Sequence, residues 1–152
     1  MGLFEVRAAI VSKLQSIEGT GIVHERERFF KDWAKFLQLF QDGDGRINGW
    51  IVTRKSTQSK RLEAPFIRRT YEMKMRGIYG MSDAEGSEIV FQDVVERIQD
   101  AFDADIDEPL GGTVMPGSGP LQIEVVELRT FGGVFCHVAE LSYPAIVHVA
   151  LT

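Results

Sequence analysis

The sequence of 152 residues contains one cysteine, Cys136, and only three histidines. A single cysteine excludes a disulfide bond within the chain and a cysteine-based zinc cluster. His24, His137 and His148 form no pair at a spacing of four residues and no His-Glu-x-x-His motif. We therefore expect neither a metal ion nor another cofactor.

Long apolar runs are also missing, which excludes a membrane-spanning helix. The first seven residues lack a basic segment followed by an apolar one, so we expect no secretory signal. Val6 stands where N-myristoylation requires Ser or Thr. The composition, 44% hydrophobic and 26% charged with ten Phe, is typical of a soluble globular protein. We expect one cytosolic-type domain over residues 1–152.

Catalytic motifs are not found in the sequence. It has no Gly-x-Ser-x-Gly, no P-loop and no dinucleotide fingerprint. Cys136 and His137 are neighbours on a predicted strand, so they point to opposite faces; we expect a buried structural cysteine beside a surface histidine. Glu124 and Glu127, three apart on a strand, are likewise expected to face opposite ways. No enzyme is expected.

One segment resembles part of a calcium-binding loop, Asp42-Gly43-Asp44-Gly45. Aligned on its central glycine, the first and twelfth ligand positions fall on Phe40 and Ile51, which offer no side-chain oxygen. We expect an ordinary turn.

Helical periodicity marks three segments. Apolar residues repeat at helical spacing over 3–17, and Gly19 is expected to stop that helix. Residues 29–40 form a short amphipathic pattern with an unusually aromatic stripe. Ser82 and Glu85 fit a capping box, and the following helix places an apolar face on Val90, Val94, Ile98, Ala101 and Phe102.

The remaining segments indicate strands and loops. We expect strands over 22–28, 47–53 and 66–79, with residues 55–64 as a polar loop. Alternation in 66–79 predicts one apolar and one charged side. A Gly/Pro-rich loop then covers 108–120, and a hairpin at 131–133 joins strands 121–130 and 134–141. At Pro144 the last strand ends or continues as an edge through Val149. The predicted fold class is α+β: an antiparallel sheet with two main helices packed on one face, plus a short aromatic helix.

The net charge of −5 conceals two halves of opposite sign. Residues 1–76 carry 15 Lys/Arg against 9 Asp/Glu, whereas residues 77–152 carry 2 against 13. The basic excess is greatest in 54–76 and the acidic excess in 83–108. Oppositely charged surfaces suit head-to-tail contact between copies. The alternative, of equal weight, is that both are solvated faces or pair within one subunit. Direct nucleic-acid binding is disfavoured by the pI of 5.2 and the lack of a known binding motif.

Several segments together resemble the tail terminator, or tail completion, proteins of tailed bacteriophages. They are the N-terminal helix ending at Gly19, the Glu25-Arg26-Glu27-Arg28 segment, the Trp50-Ile51-Val52-Thr53-Arg54 strand, the Tyr71–Gly77 strand, the helix 89–102 and the closing hairpin 131–141. The likeness covers most of the chain and depends on pattern and element order.

This resemblance implies a small α+β structural protein that forms a hexameric ring. Such a ring caps the tail tube, ends tube growth and joins the tail to the head connector. The implied partners are further copies of the chain, the tail tube protein and the head–tail connector protein, with no sequence-specific nucleic acid and no membrane. The implied location is the tail neck of the virion, after assembly in the host cytoplasm.

In a ring each subunit offers two different faces to its neighbours. The charge division suggests these interface candidates: Arg54, Arg61, Arg68, Arg69, Glu88, Glu96 and Asp100. The loops 55–64 and 108–120 are then expected to become ordered against the tube or the connector. The alternatives are another head–tail connector protein and a small non-viral binding domain.

Overall fold

The computed structural model describes residues 2–131 and 133–151. The elements follow in the order α1 (Leu3–Ser16), β1 (Ile22–His24), α2 (Trp33–Phe40), β2 (Asn48–Arg61), β3 (Phe66–Gly80), α3 (Ser87–Asp103), β4 (Gln122–Phe131) and β5 (Val134–Ala150). Two short 3₁₀ helices, Asp83–Glu85 and Pro109–Gly112, flank α3. None of the helices in these residues is long and apolar enough to cross a bilayer.

The five strands form one sheet in the order β1-β2-β3-β5-β4. Every neighbouring pair is antiparallel except β1 and β2, which are parallel over three residues. Because paired residues share a face and successive residues alternate, each strand contributes to both faces. The predicted α+β fold with a largely antiparallel sheet is confirmed.

One face of the sheet is covered by the two long helices. Val6, Ile10 and Leu14 of α1 and Phe91, Val94 and Ile98 of α3 belong to the same buried cluster as Trp50, Met73, Met75 and Leu141. The buried side chains of each helix recur every three or four residues, which forms a single apolar stripe. We call this the helix face. The cluster explains why the helix over 3–17 and the alternating strand 66–79 were predictable.

The short aromatic helix packs on the opposite face. Phe36, Leu39 and Phe40 of α2 form a second cluster with Ile51, Ile78 and Cys136. The helix begins at Trp33, later than predicted, because the carboxylate of Asp32 accepts a hydrogen bond from the N–H of Lys35 and so caps it. Phe29 lies before this cap and is 75% exposed.

The outer ends of β2 and β3 extend beyond the helices, and we call residues 54–70 the arm. The expectation that 55–64 is a loop is wrong, since β2 continues to Arg61 and pairs with β3 throughout. All eight residues from Arg54 to Arg61 are exposed. A strand with no buried side has no apolar alternation, so its sequence resembles a loop although its partner holds it extended.

The part of the sheet beneath the helices is the covered half, formed by residues 48–52, 73–80 and 136–143. Trp50 packs against Gly77 there: a Cβ at Gly77 would lie 2.5 Å from the Trp50 ring. Glycine is therefore required for the strand to approach the indole so closely.

Two further boundaries differ from the sequence prediction. β1 ends at His24 instead of residue 28, because it pairs only with Gly49, Trp50 and Ile51. β5 passes through Pro144 to Ala150, which confirms the alternative of a continued strand. Proline has no backbone N–H to donate. It is tolerated at position 144 because β4 pairs no further along β5 than Ser142, so no neighbouring strand requires that hydrogen bond. The hairpin prediction at 131–133 includes Gly132, which is outside the described residues.

The start of α3 and its buried face also differ. The predicted capping box is a 3₁₀ turn, and Ser82 makes no side-chain cap. Gly86, with φ of 66°, separates this turn from α3. Val90 is 43% exposed, and Phe91 and Val95 are buried instead. Val94, Ile98 and Phe102 are buried as predicted.

The segment 108–120, expected to become ordered against a partner, instead packs against its own subunit. Leu110 and Val114 are buried in the helix-face cluster. The N–H of Met115 donates to the carbonyl of Ile146 at 2.8 Å, and the N–H of Gly119 donates to that of Pro144 at 2.9 Å. The segment thus covers the edge of β5 that β4 leaves open, which protects unpaired backbone groups.

Candidate functional site

The four basic interface candidates all belong to the arm but do not share one surface. Arg54 pairs with Met73 and Arg61 with Ile67, which places both on the helix face of β2. Arg69 lies on the same face of β3 and is half-buried. Arg68 lies on the other face, where its Nε donates to Nε2 of His148 at 3.3 Å. The exposed strand β2 therefore presents more positive charge to solvent than β3 does.

The end of the basic stretch, Lys74 and Arg76, is already engaged within the subunit. Nζ of Lys74 lies 3.4 Å and Nε of Arg76 lies 3.6 Å from the carboxylate of Glu140. These ion pairs lie on the face of the sheet opposite the helix face, which we call the open face. Part of the positive charge thus pairs internally, one of the alternatives considered from the sequence.

The acidic candidates Glu88, Glu96 and Asp100 are exposed on α3, as predicted. Arg97 forms an ion pair with Asp93 and donates to the carbonyl of Glu18 at 2.9 Å, which marks the flank of α3 that faces α1. The acidic surface is therefore on the remaining exposed part of the helix.

The orientation of α3 carries this acidic surface toward β4. Asp103 accepts a hydrogen bond from the N–H of Leu121 at 3.0 Å, next to the start of β4. At 100° per residue, Glu88 and Glu96 lie within roughly 60° of Asp103 around the helix axis. Negative charge therefore concentrates at the β4 side of the sheet and positive charge at the β2 side.

Both of these sides are also open strand edges. β1 covers β2 only at residues 49–51, so 53–61 has no strand beyond it among the described residues. β4 is the last strand on the other side. Open edges present unpaired N–H and C=O groups that can template a further strand.

A β-bulge changes the geometry of β4. The register shifts between Ile123 and Val125, so Glu124 projects to the open face and accepts a hydrogen bond from the hydroxyl of Ser142 at 2.6 Å. Glu127 pairs with Val138 on the same face. The expectation that the two carboxylates face opposite ways is thus wrong, because the extra residue inverts the alternation. Three residues of β4 separate them, about 10 Å at the usual rise.

A buried serine–histidine pair was not foreseen from the sequence. The hydroxyl of Ser87 accepts a hydrogen bond from the N–H of Ser82 at 2.8 Å and lies 2.8 Å from Nε2 of His137. We assign the hydroxyl hydrogen to the bond with Nε2. His137 also stacks on Phe91. The predicted surface histidine is thus buried, because it faces α3.

This pair has no access for a substrate, since both side chains are buried. Burial lowers the pKa of His137 below 6.5, although the nearby carboxylate of Glu88 opposes this shift. The neutral ring therefore acts as a structural link between β5 and the start of α3. Fifty residues separate the two side chains in the sequence, and no motif signals their contact.

Cys136 faces the other way, in the aromatic cluster, which confirms the predicted opposition. Burial raises the pKa of its thiol to about 11, so the thiol is protonated and a poor nucleophile at neutral pH. Within residues 2–131 and 133–151, no three His, Cys, Asp or Glu side chains are grouped as metal ligands.

The aspartate-rich segment is a turn. One carboxylate oxygen of Asp42 accepts hydrogen bonds from the N–H groups of Asp44 and Arg46, each at 3.0 Å. These two hydrogen bonds from backbone N–H groups to the Asp42 side chain close the turn.

A shallow cleft of about 700 Å³ lies between α2 and the end of β3. Trp33, Leu37 and Met81 provide apolar walls, and Arg46 forms an ion pair with Glu85 at its rim. Its lining contains no histidine or cysteine. The arrangement suits a packing surface better than acid–base chemistry.

The strongest candidate site is therefore a pair of oppositely charged strand edges, basic along β2 and acidic along β4 and α3. The sequence matches no protein-family model and no curated protein.

Proposed function

We propose that this chain is a structural protein of a phage or phage-like tail neck. It forms a ring of identical subunits, six by resemblance to the tail terminators, that caps the tail tube. The ring ends tube growth and joins the tail to the head–tail connector. On this proposal the chain has no catalytic role and is located in the virion after assembly in the host cytoplasm.

The observation that carries the proposal is the separation of two unlike surfaces on one subunit. A closed ring is built from heterologous contacts, in which one patch binds a different patch on the next copy. The arm is basic and exposed, whereas the β4 side is acidic and lies across the sheet from it. Opposite charges favour contact between unlike patches and oppose contact between like patches.

The arm supports the same interpretation. A strand exposed over eight residues buries little apolar surface and is weakly stabilised in water by itself. Contact with another subunit would bury its backbone and side chains together. A monomeric binding domain has no such need for an extended, uncovered strand.

The first test is the mass of the purified protein by light scattering, at low and at high salt. We expect a hexamer that dissociates as salt rises, because exposed charges are screened within roughly 10 Å at 0.1 M. The same preparation should cap purified tail tubes and prevent their elongation. A monomer that also fails to cap tubes contradicts the proposal and favours the small binding domain.

The sharper test reverses charge on the exposed part of the arm. Arg54→Glu with Arg61→Glu should lower the oligomer mass, since both side chains project from β2. Arg26→Glu with Lys31→Glu is the matched control, because it changes the net charge equally at exposed residues outside the arm. Equal loss of mass in both variants would indicate a general charge effect.

A further inference from the structure

We propose that subunits join by strand pairing: the open edge of β2, residues 53–61, adds to the open edge of β4 in a second copy. The inference deepens the proposed ring and rests on it. It replaces a general attraction between basic and acidic surfaces with a hydrogen-bonded contact between two named strands.

Strand direction favours this pairing. β2 is antiparallel to β3, β3 to β5 and β5 to β4, so β2 and β4 run in opposite directions within one subunit. Rotation about an axis along the strands preserves strand direction. β4 of one copy therefore meets β2 of the next as an antiparallel pair, which is slightly more stable per residue than a parallel one.

The lengths of the two edges also match. The free part of β2 is nine residues long and β4 is ten. Each edge contains a β-bulge near one end, between Arg54 and Ser56 in β2 and between Ile123 and Val125 in β4. A pairing centred on Thr57 and Val126 joins residues of the same face, since Thr57 pairs with Tyr71 and Val126 with Ala139.

The two edges lie at different positions along the strand direction, and this difference sets the offset between neighbouring copies. Thr57 is level with Tyr71 on β3, whereas Val126 is level with Ala139 and hence with Gly77. Six residues of β3 separate these levels, about 20 Å at the usual rise. Each copy adds four strands to the joined sheet, about 19 Å of width.

An offset of this size corresponds to strands tilted by roughly 45°, the upper end of the range in closed barrels. An untilted ring would bring β4 beside β1 instead, at the level where β2 is already covered. The stagger thus predicts a joined sheet whose strands tilt relative to the ring axis.

The charges of the two edges are also complementary in this pairing. The free part of β2 carries Arg54, Lys55, Lys60 and Arg61 and no acid. The centred register sets Lys60 within one or two residues of Glu124, and Lys55 equally near Glu127. On the helix face, Arg54 and Arg61 approach the flank of α3 that bears Glu88 and Glu96. Lysine at an edge usually deters pairing between copies, and an acidic partner edge removes that repulsion.

The test exchanges charges between the two edges. Lys55→Glu with Lys60→Glu, and Glu124→Lys with Glu127→Lys, should each weaken assembly at least about tenfold in light scattering against concentration. All four changes in one chain should restore assembly to within about threefold of the wild type. Lys31→Glu with Lys35→Glu is the matched control and should leave assembly unchanged. Thermal melting followed by circular dichroism checks that each variant is folded.

A disulfide trap tests the register. With Cys136→Ala, the pair Gln58→Cys and Val125→Cys should give a ladder of covalent multimers under oxidation. Within one subunit β3 and β5 separate these positions, so they cannot form an internal bond. Either cysteine alone should give no more than dimers.

The outcomes separate this inference from the proposed function. A ring that persists in both edge variants, with no covalent ladder, overturns the strand pairing and leaves the ring proposal standing. Rescue of the β2 variant by Glu96→Lys with Asp100→Lys, but not by the β4 changes, assigns the contact to α3 and overturns the inference. A wild-type chain that stays monomeric, with and without tail tubes, overturns both.

Discussion

The covered half of the sheet and the arm belong to the same strands but are stabilised differently. In the covered half, β2 and β3 contribute Trp50, Met73 and Met75 to a core closed by α1 and α3. In the arm, the same two strands continue with polar side chains exposed along β2. Backbone hydrogen bonds alone therefore extend the sheet into the arm, whereas buried side chains stabilise only the covered half. The half that contributes least to folding is the half available for assembly.

The largest expected difference between the halves concerns two phenylalanines. Phe91→Ala should lower the free energy of unfolding by about 3–5 kcal/mol, because this ring is 2% exposed and packs on Trp50 and Tyr79. Phe66→Ala at the end of the arm, where the ring is 50% exposed, should cost much less. Urea denaturation of both variants measures the difference, and equal losses would show that the arm is part of the core.

A smaller loss of stability is expected at Gly77, where β3 contacts the indole of Trp50. Gly77→Ala should cost about 1–3 kcal/mol, since the new Cβ lies 2.5 Å from Trp50 and the buried ring has little room to move. Gly80→Ala on the same strand is the control, because its nearest neighbour, a side-chain atom of Ile47, lies at 3.4 Å. Thermal unfolding compares the two variants. A tolerated Gly77→Ala would mean that the covered half is more loosely packed than described.

The smallest effect is a pH dependence of stability, which we expect from His137 in the covered half and compare with His148 on β5 beside the arm. Burial lowers the folded-state pKa of His137 below its ordinary value of 6.5, so the unfolded chain binds the proton more readily. The stability associated with neutral His137 is complete above pH 6.5 and is lost as the pH falls through the folded-state pKa. Melting temperatures over that range should therefore fall on acidification.

His137→Gln should flatten this dependence. His148→Gln provides the control, since it removes another imidazole at an exposed position of β5, beside Arg68 of the arm. If the two variants give the same profile as the wild type, another group is responsible for the acid sensitivity.

Sequence patterns identified the elements that bury one side. The stripe over 3–17 and the alternation of 66–79 each reflect burial against the same core, so both were predictable. The patterns failed where burial is absent or comes from distant residues. Strand 55–61 has no apolar side, and Phe91 instead of Val90 is buried because it packs on Trp50 and Tyr79.

The candidate site divides in the same way. Charge counts alone indicated a basic and an acidic surface, and the residues Arg54, Arg61, Glu88 and Glu96 are indeed exposed. Only the sheet order puts the two surfaces at opposite edges, and only the register reveals that Lys74 and Arg76 pair with Glu140. The tail-neck function, its ring and its partners remain predictions.

The sequence by itself determined what local spacing encodes: the helices, the alternating strand, the division of charge and the lack of familiar catalytic motifs. The tertiary structure alone decided which edges stay open, how far they are staggered, and that Ser87 meets His137 across fifty residues. Periodicity records whether a residue faces apolar neighbours, but not which neighbours they are. Pairing between distant strands depends on the free energy of the whole sheet, so it appears only when the chain is folded.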